Sequence, residues 1–174
     1  ASLAAVNDAQ IAANDLQAIF VGNMAAGAFA SQEHVGAVLA DALGLQVPAT
    51  RLEAACASGS VAFRNAYLSV ASGEYDLVLV NGVEKMTDLR ADEASSVLMC
   101  AGDNEWESSI GLTFAGQYAL IARVHMHAFG TTREQLAMVS VNNHKNAIGN
   151  HYAQFPFAVT AEQVMHSSLV ADPL

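Results

Sequence analysis

Basic residues are scarce in this chain. Seven Lys and Arg stand against 17 Asp and Glu, giving a net charge of −10, and the few cations are scattered along the sequence. With no basic stripe, nucleic acid and anionic membrane surfaces are poor partners. A phosphate-bearing ligand stays open, because backbone amides and one or two local cations suffice to hold one. No apolar run approaches the ~20 residues that cross a bilayer, so no membrane span is expected. Only two cysteines are present and no Asn-x-Ser/Thr triplet. An intracellular setting follows as the expectation: the cytoplasm, or an organellar matrix in a eukaryote. The opening Ala1–Val6 lacks a basic leader and reads as amphipathic helix, not as a secretory signal.

Motifs for bound cofactors are also missing. There is no Gly-x-Gly-x-x-Gly run and no P-loop, which leaves dinucleotide and nucleoside triphosphate sites unsupported. Cys-x-x-Cys and His-Glu-x-x-His spacings are absent too. His125 and His127 point to nearly opposite faces of a helix, and His144 and His151 lie about 10 Å apart along one. No metal and no tightly bound cofactor are expected. Ser58 and Ser60 do not form the Gly-x-Ser-x-Gly elbow of a serine hydrolase, and Ser58 reads as a helix-start residue.

What is abundant is apolar residues, at 53% of the 174, with 14% charged. That composition fits one core-rich domain or a domain with a large buried interface. Apolar spacing predicts a helix over 2–14 and a buried strand at Ala18–Gly22. A Gly/Ala-rich loop from Asn23 to Ser31 leads to a helix over Glu33–Leu43, ended by Gly44. A strand at Arg51–Ala55, a helix at Ser58–Ser72 closed by Gly73, and a strand at Tyr75–Val80 follow. This strand–helix alternation is that of parallel α/β domains. Val83–Ile110 reads as an irregular acidic excursion. Helices then run from Thr113 to Ala128, ending at Gly130, and from Thr131-Thr132, with Glu134 and Gln135 at capping-box spacing, to Ala147. Thr160 and Gln163 mark a last short helix. Both ends read as interior to a longer protein, since the first residue already sits in a helix and three strands are few for such a sheet.

Cys56 occupies the turn between the second strand and the helix after it, in Glu53-Ala54-Ala55-Cys56-Ala57-Ser58-Gly59-Ser60. A thiol there faces the unpaired amides of a helix start, whose positive end favours a thiolate. The competing reading is a small buried hydrophobe. Cys100, beside Met99 in the acidic excursion, reads as a loop thiol, and a Cys56–Cys100 disulfide is disfavoured in a reducing compartment.

The run Cys56-Ala57-Ser58-Gly59-Ser60, then Ser72-Gly73-Glu74-Tyr75-Asp76, then Gly82-Val83-Glu84-Lys85-Met86-Thr87 resembles the thiolases. Within them the likeness is nearer to the sterol-carrier-type and archaeal members. Val21-Gly22-Asn23-Met24, Gly111-Leu112-Thr113-Phe114, Phe129-Gly130-Thr131-Thr132 and Asn143-His144-Lys145-Asn146 support it, so the likeness spans essentially the whole chain. It implies an α/β, thiolase-like layered fold: a mixed sheet with helices on both faces, here the N-terminal half with a mostly helical loop insertion. Residues 1–86 would be the core of the N-terminal domain without its first strand, and 87–174 the loop domain and its return. The C-terminal half, which in the family carries an activating histidine and a second, acid/base cysteine, would be absent.

The activity implied is acyl transfer between 3-ketoacyl-CoA or acetyl-CoA and CoA, through a thioester on Cys56. Coenzyme A and acyl-CoA enter as substrates, and a homo-oligomer, dimer or tetramer, is implied. Thr113 and Phe114 fall where the family approaches the acyl-pantetheine channel, or simply start a core helix. Lys145 or Arg133 meets a CoA phosphate, or is a solvated helix charge. Glu84-Lys85-Met86 supports the active-site floor, or Glu84–Lys85 is an ordinary strand-end pair. Two other functions compete: a non-catalytic thiolase-like binding subunit, and an aldolase-like relative. The latter lacks the nucleophilic cysteine, so Cys56 argues against it.

Overall fold

The computed structural model describes residues 1–173; Leu174, the last residue of the expected 87–174 segment, lies outside the described residues. Two compact units are present, Ala1–Ala101 and one from Gly102 onward. The division falls after Ala101, beyond the expected boundary at Met86, because the residues after Met86 pack with the first unit.

The first unit is built on three strands: β1 (Ala18–Gly22), β2 (Ala49–Leu52) and β3 (Val78–Gly82). Their spatial order is β2-β1-β3 and both pairings are parallel. The α/β class thus holds, and the antiparallel strand that a mixed sheet requires is not among the described residues. β1 is central because Ala18, Ile19 and Val21 bury apolar groups on both faces, as a covered parallel strand must.

Alternation along β1 sends Ile19 and Val21 to one face. There they pack with Leu79, with Val6 of α1 (Ser2–Asp8), and with Ala40 of the eight-residue helix Val35–Ala42. Gly22 faces the other side, under the long helix Ser58–Ala71. Numbering in chain order makes Ala26–Ala30 α2, Val35–Ala42 α3 and Ser58–Ala71 α4. Small residues let α4 lie close: Ala62 and Ala66 are buried against the sheet.

Several sequence expectations shift, each for a local reason. The helix expected over 2–14 stops at Asp8: Gln10 takes a left-handed φ of 55°, and the Ile11 N–H reaches back to Val6 O. A 3-10 turn at Ala13–Asp15 follows. The loop of 23–31 contains α2. The second strand ends at Leu52, since Ala54 and Ala55 (φ 47°) turn the chain out of the sheet. The third begins at Val78, because the Gln17 side-chain carbonyl takes the Asp76 and Leu77 amides. The acidic excursion holds α5 (Ala91–Leu98), where Glu93 accepts the Arg90 N–H at 2.9 Å.

The second unit is helical: α6 (Phe114–Phe129), α7 (Arg133–Ala147) and α8 (Ala161–Met165), with α7 packed on α8. Thr113, Thr132 and Thr160 each cap the helix that follows, accepting the N–H of Gly116, Gln135 and Gln163. Gly130 ends α6 with φ 70°.

Candidate functional site

In the register of the sheet, Gly22 lies beside Leu52 on one side and Gly82 on the other. Three loops therefore leave the carboxyl edge together: Asn23–Ala25, Glu53–Ala57 and Val83–Lys85. This edge is where open parallel sheets place their ligands.

Cys56 stands in the loop that follows β2, in a 3-10 turn (Ala55–Ala57) that runs straight into α4. Its side chain is exposed. The buried-hydrophobe reading therefore falls, and the thiol sits where a helix begins. Ala55, with φ 47°, is the sharp point of the turn, and the Glu53 carboxylate accepts its N–H at 2.6 Å. Ser58 is the first residue of α4 rather than its cap. Its buried hydroxyl donates to Ala55 O at 2.7 Å and accepts the Ala54 N–H at 2.9 Å. No side chain caps α4.

Close approach beneath the turn is permitted by glycine. A Cβ on Gly22 would meet Gly59 Cα and N at 2.6 Å and Ser58 C at 2.7 Å. Backbone lies on both sides, so nothing there can swing away.

The loops that follow β1 and β3 are stapled to each other. Glu84 is half-buried and its carboxylate is fully engaged: Oε2 accepts the Met24 N–H at 2.7 Å, and Oε1 accepts the Asn23 side-chain amide at 3.0 Å and the Ala25 N–H at 3.3 Å. Asn23 is buried, donates also to Val83 O at 2.8 Å, and accepts the Ala26 N–H at the start of α2. From β2, Arg51 donates to the carbonyls of Asn23 and Met24 and pairs with Glu33 at 3.2 Å. Glu84 is thus no partner of Lys85, which pairs instead with Asp88 at 2.8 Å.

Together these loops wall an open depression of about 350 Å³ that is lined by Cys56, Ala55, Ser58, Asn23, Met24 and Glu84, among others. A neighbouring depression of about 420 Å³ is lined by Arg51, Glu53, Cys100 and Met24. Cys100 sits in a 3-10 turn after α5, exposed, and donates weakly to Ser96 O. It is a helix-end thiol, where the sequence reads a loop.

The other expected site residues lie in the second unit. Thr113 caps α6, and Phe114 stacks obliquely on Tyr118 with ring centres 6.2 Å apart. Lys145 is exposed on α7. His144 bonds Phe157 O at 2.9 Å and His125 packs on Phe129, so both have structural partners. Among the described residues, no three His, Cys, Asp or Glu group as metal ligands would, and no helix is long and apolar enough to cross a membrane.

Sequence reasoning locates Cys56 and, by the resemblance, names Glu84 as a support of the site floor, but not the partners through which Glu84 acts. Arg51 carries no motif, and the ties from Glu84 to residues 23–25 span about 60 positions. Their one signal is a polar residue just past each of two parallel strands.

Comparison with known proteins agrees with this geometry. The family described as Thiolase, N-terminal domain, matches residues 1–168. The acetyl-CoA acetyltransferase of Methanothermobacter thermautotrophicus is 54% identical over the whole of this chain and 45% of its own length. That of Methanocaldococcus jannaschii is 52% identical, again over the whole chain and 44% of its own length. Sterol carrier protein 2 of Bos taurus is 26% identical over 97% of the chain and 32% of its own length. The chain spans less than half the length of these relatives. It belongs to the thiolase family.

Proposed function

We propose that this chain carries the nucleophile of an acyltransferase of the acetyl-CoA acetyltransferase type, and that Cys56 is that nucleophile. One observation carries the reading: an exposed thiol, at the carboxyl edge of a parallel sheet and the uncapped start of α4, in a chain 54% identical to an acetyl-CoA acetyltransferase.

The chemistry follows from the thiol. Cys56 Sγ, as thiolate, attacks the keto carbon of a 3-ketoacyl-CoA. The bond from that carbon to the α-carbon breaks, and acetyl-CoA leaves as its enolate, which takes up a proton. The thiol of free CoA, giving up its proton, then attacks the Cys56 thioester and displaces the thiolate. Cysteine suits both halves, being a strong nucleophile and a good leaving group. The Cys56 amide, in the turn that leads into α4, favours the oxyanion formed at each attack. The proton-moving histidine and second cysteine belong, by family resemblance, to the C-terminal half. Residues 87–174 then serve as loop domain, with Thr113, Phe114 and Lys145 as the candidates for contact with CoA. A cytoplasmic homodimer completes the proposal.

The test is exposure of the protein at its full natural length to acetyl-CoA, followed by peptide mass mapping. An acetyl adduct on Cys56, lost in Cys56→Ser, is expected. An adduct confined to Cys100 refutes the assignment.

A further inference from the structure

The Asn23–Ala25 loop is held along both of its polar edges. The Met24 and Ala25 N–H groups go to Glu84, and the Asn23 and Met24 carbonyls to Arg51. Between them sits Met24, which lines both the depression at Cys56 and the one at Cys100. Met24 is the partition between the two.

A thioether chain is flexible, and a wall made of it is only as well placed as its backbone. Here the backbone is fixed by charge-assisted bonds on both sides, from a carboxylate that takes three N–H groups and a guanidinium that takes two carbonyls. Closing a surface loop does not require two charged groups. Bonds on both edges of the loop fix the backbone that carries Met24.

We propose that Glu84 and Arg51 are positioning residues that fix Met24 as the wall of the Cys56 depression, and that this wall limits the bulk of the group joined to Cys56 sulfur. Loosening it opens the Cys56 depression toward its neighbour. Applied to acyl groups, the proposal rests on the thioester reading above. The wall itself is independent of that reading.

The experiment uses the protein at its full natural length in a Cys100→Ser background, which removes the thiol of the neighbouring depression. Alkylation rates at Cys56 are measured with iodoacetamide and with the bulkier N-phenylmaleimide, read by peptide mass mapping. Met24→Ala is expected to raise the bulky-over-small rate ratio about three- to tenfold. Glu84→Gln, which sets an NH2 donor against N–H donors, should move the ratio the same way. Because Glu84 acts through Met24, the double variant should exceed neither single by more than error. Arg51→Lys keeps the charge but loses the fork. It should shift the ratio likewise and serves if Glu84→Gln does not fold.

An unchanged ratio in a folded Glu84 or Arg51 variant overturns the proposal, as do strictly additive singles. A second arm compares kcat/KM for a long- and a short-chain 3-ketoacyl-CoA in the protein at its full natural length. Preference should move toward the longer chain in Glu84→Gln, beyond any common fall in kcat. If the reagent ratio moves but acyl groups never reach Cys56, the thioester reading falls and the wall stands. If Cys56 is acylated and neither ratio moves, the wall falls and the reading stands.

Discussion

Helices α4 and α7 are nearly equal in length, at 14 and 15 residues, and begin in opposite ways. α7 contains its own start. Thr132 Oγ1 accepts the Gln135 N–H at 3.3 Å, and Gln135 Oε1 returns the favour to the Thr132 N–H at 2.9 Å. α4 has no such box. Its first residue turns its hydroxyl backward to brace the preceding turn, and its first turn rests on Gly22 of β1. A start that only has to be a start is satisfied by neighbours in sequence. A start that presents a thiol has no side-chain cap, is led in by a 3-10 turn and is held from outside.

Removing the outside hold should have the largest effect. Gly22→Ala is expected to destabilise the first unit by about 2–3 kcal/mol, since the new Cβ meets backbone that has no room to give. Chemical denaturation measures it, and an undiminished midpoint would break the contrast between the two helices.

Next comes Ser58→Ala, which strands the Ala54 N–H in a partly buried turn and leaves Ala55 O with only the Ser58 N–H. A loss of about 1–3 kcal/mol is expected, with a changed alkylation rate at Cys56. Its counterpart Thr132→Ala should cost about 1 kcal/mol and leave that rate where it was. Equal effects of the two on Cys56 would erase the distinction.

The smallest effect lies within α7. Glu134, in its first turn, is held below the ordinary value of 4.5 by its own backbone N–H first, then by the Thr132 hydroxyl and the Arg133 charge, against slight desolvation. A lowered folded-state value means the stabilisation is complete above about pH 4.5 and is lost as the pH falls through the folded value. Following the Glu134 carboxyl by NMR should show a titration below the ordinary range. Thr132→Ala should move it back up.

The same contrast governs what the sequence makes legible. α6, α7 and α8 are readable nearly to the residue, because Thr113, Thr132, Thr160 and Gly130 are local signals for local bonds. β1 is readable because its apolar run admits one role. The thiol turn is readable as a position, from Cys56 beside Ser58 and Gly59. Its geometry is not, for Ala55 carries no sequence mark of its left-handed backbone. α2 and α5 hide in small or acidic residues. The bonds of Glu84, Asn23 and Arg51 exist only once three strands have aligned their carboxyl ends.

Gly22 is the last residue of β1 and the floor of the thiol turn at once. A slip of that strand by one position would bring Val21 or Asn23, each with a side chain, against the backbone of Gly59. The turn would then fail to seat. Correct pairing of the sheet and presentation of the thiol are therefore a single event in folding. A mispaired chain would hold Cys56 off the carboxyl edge of the sheet, away from the depression lined by Gly22, Asn23 and Glu84.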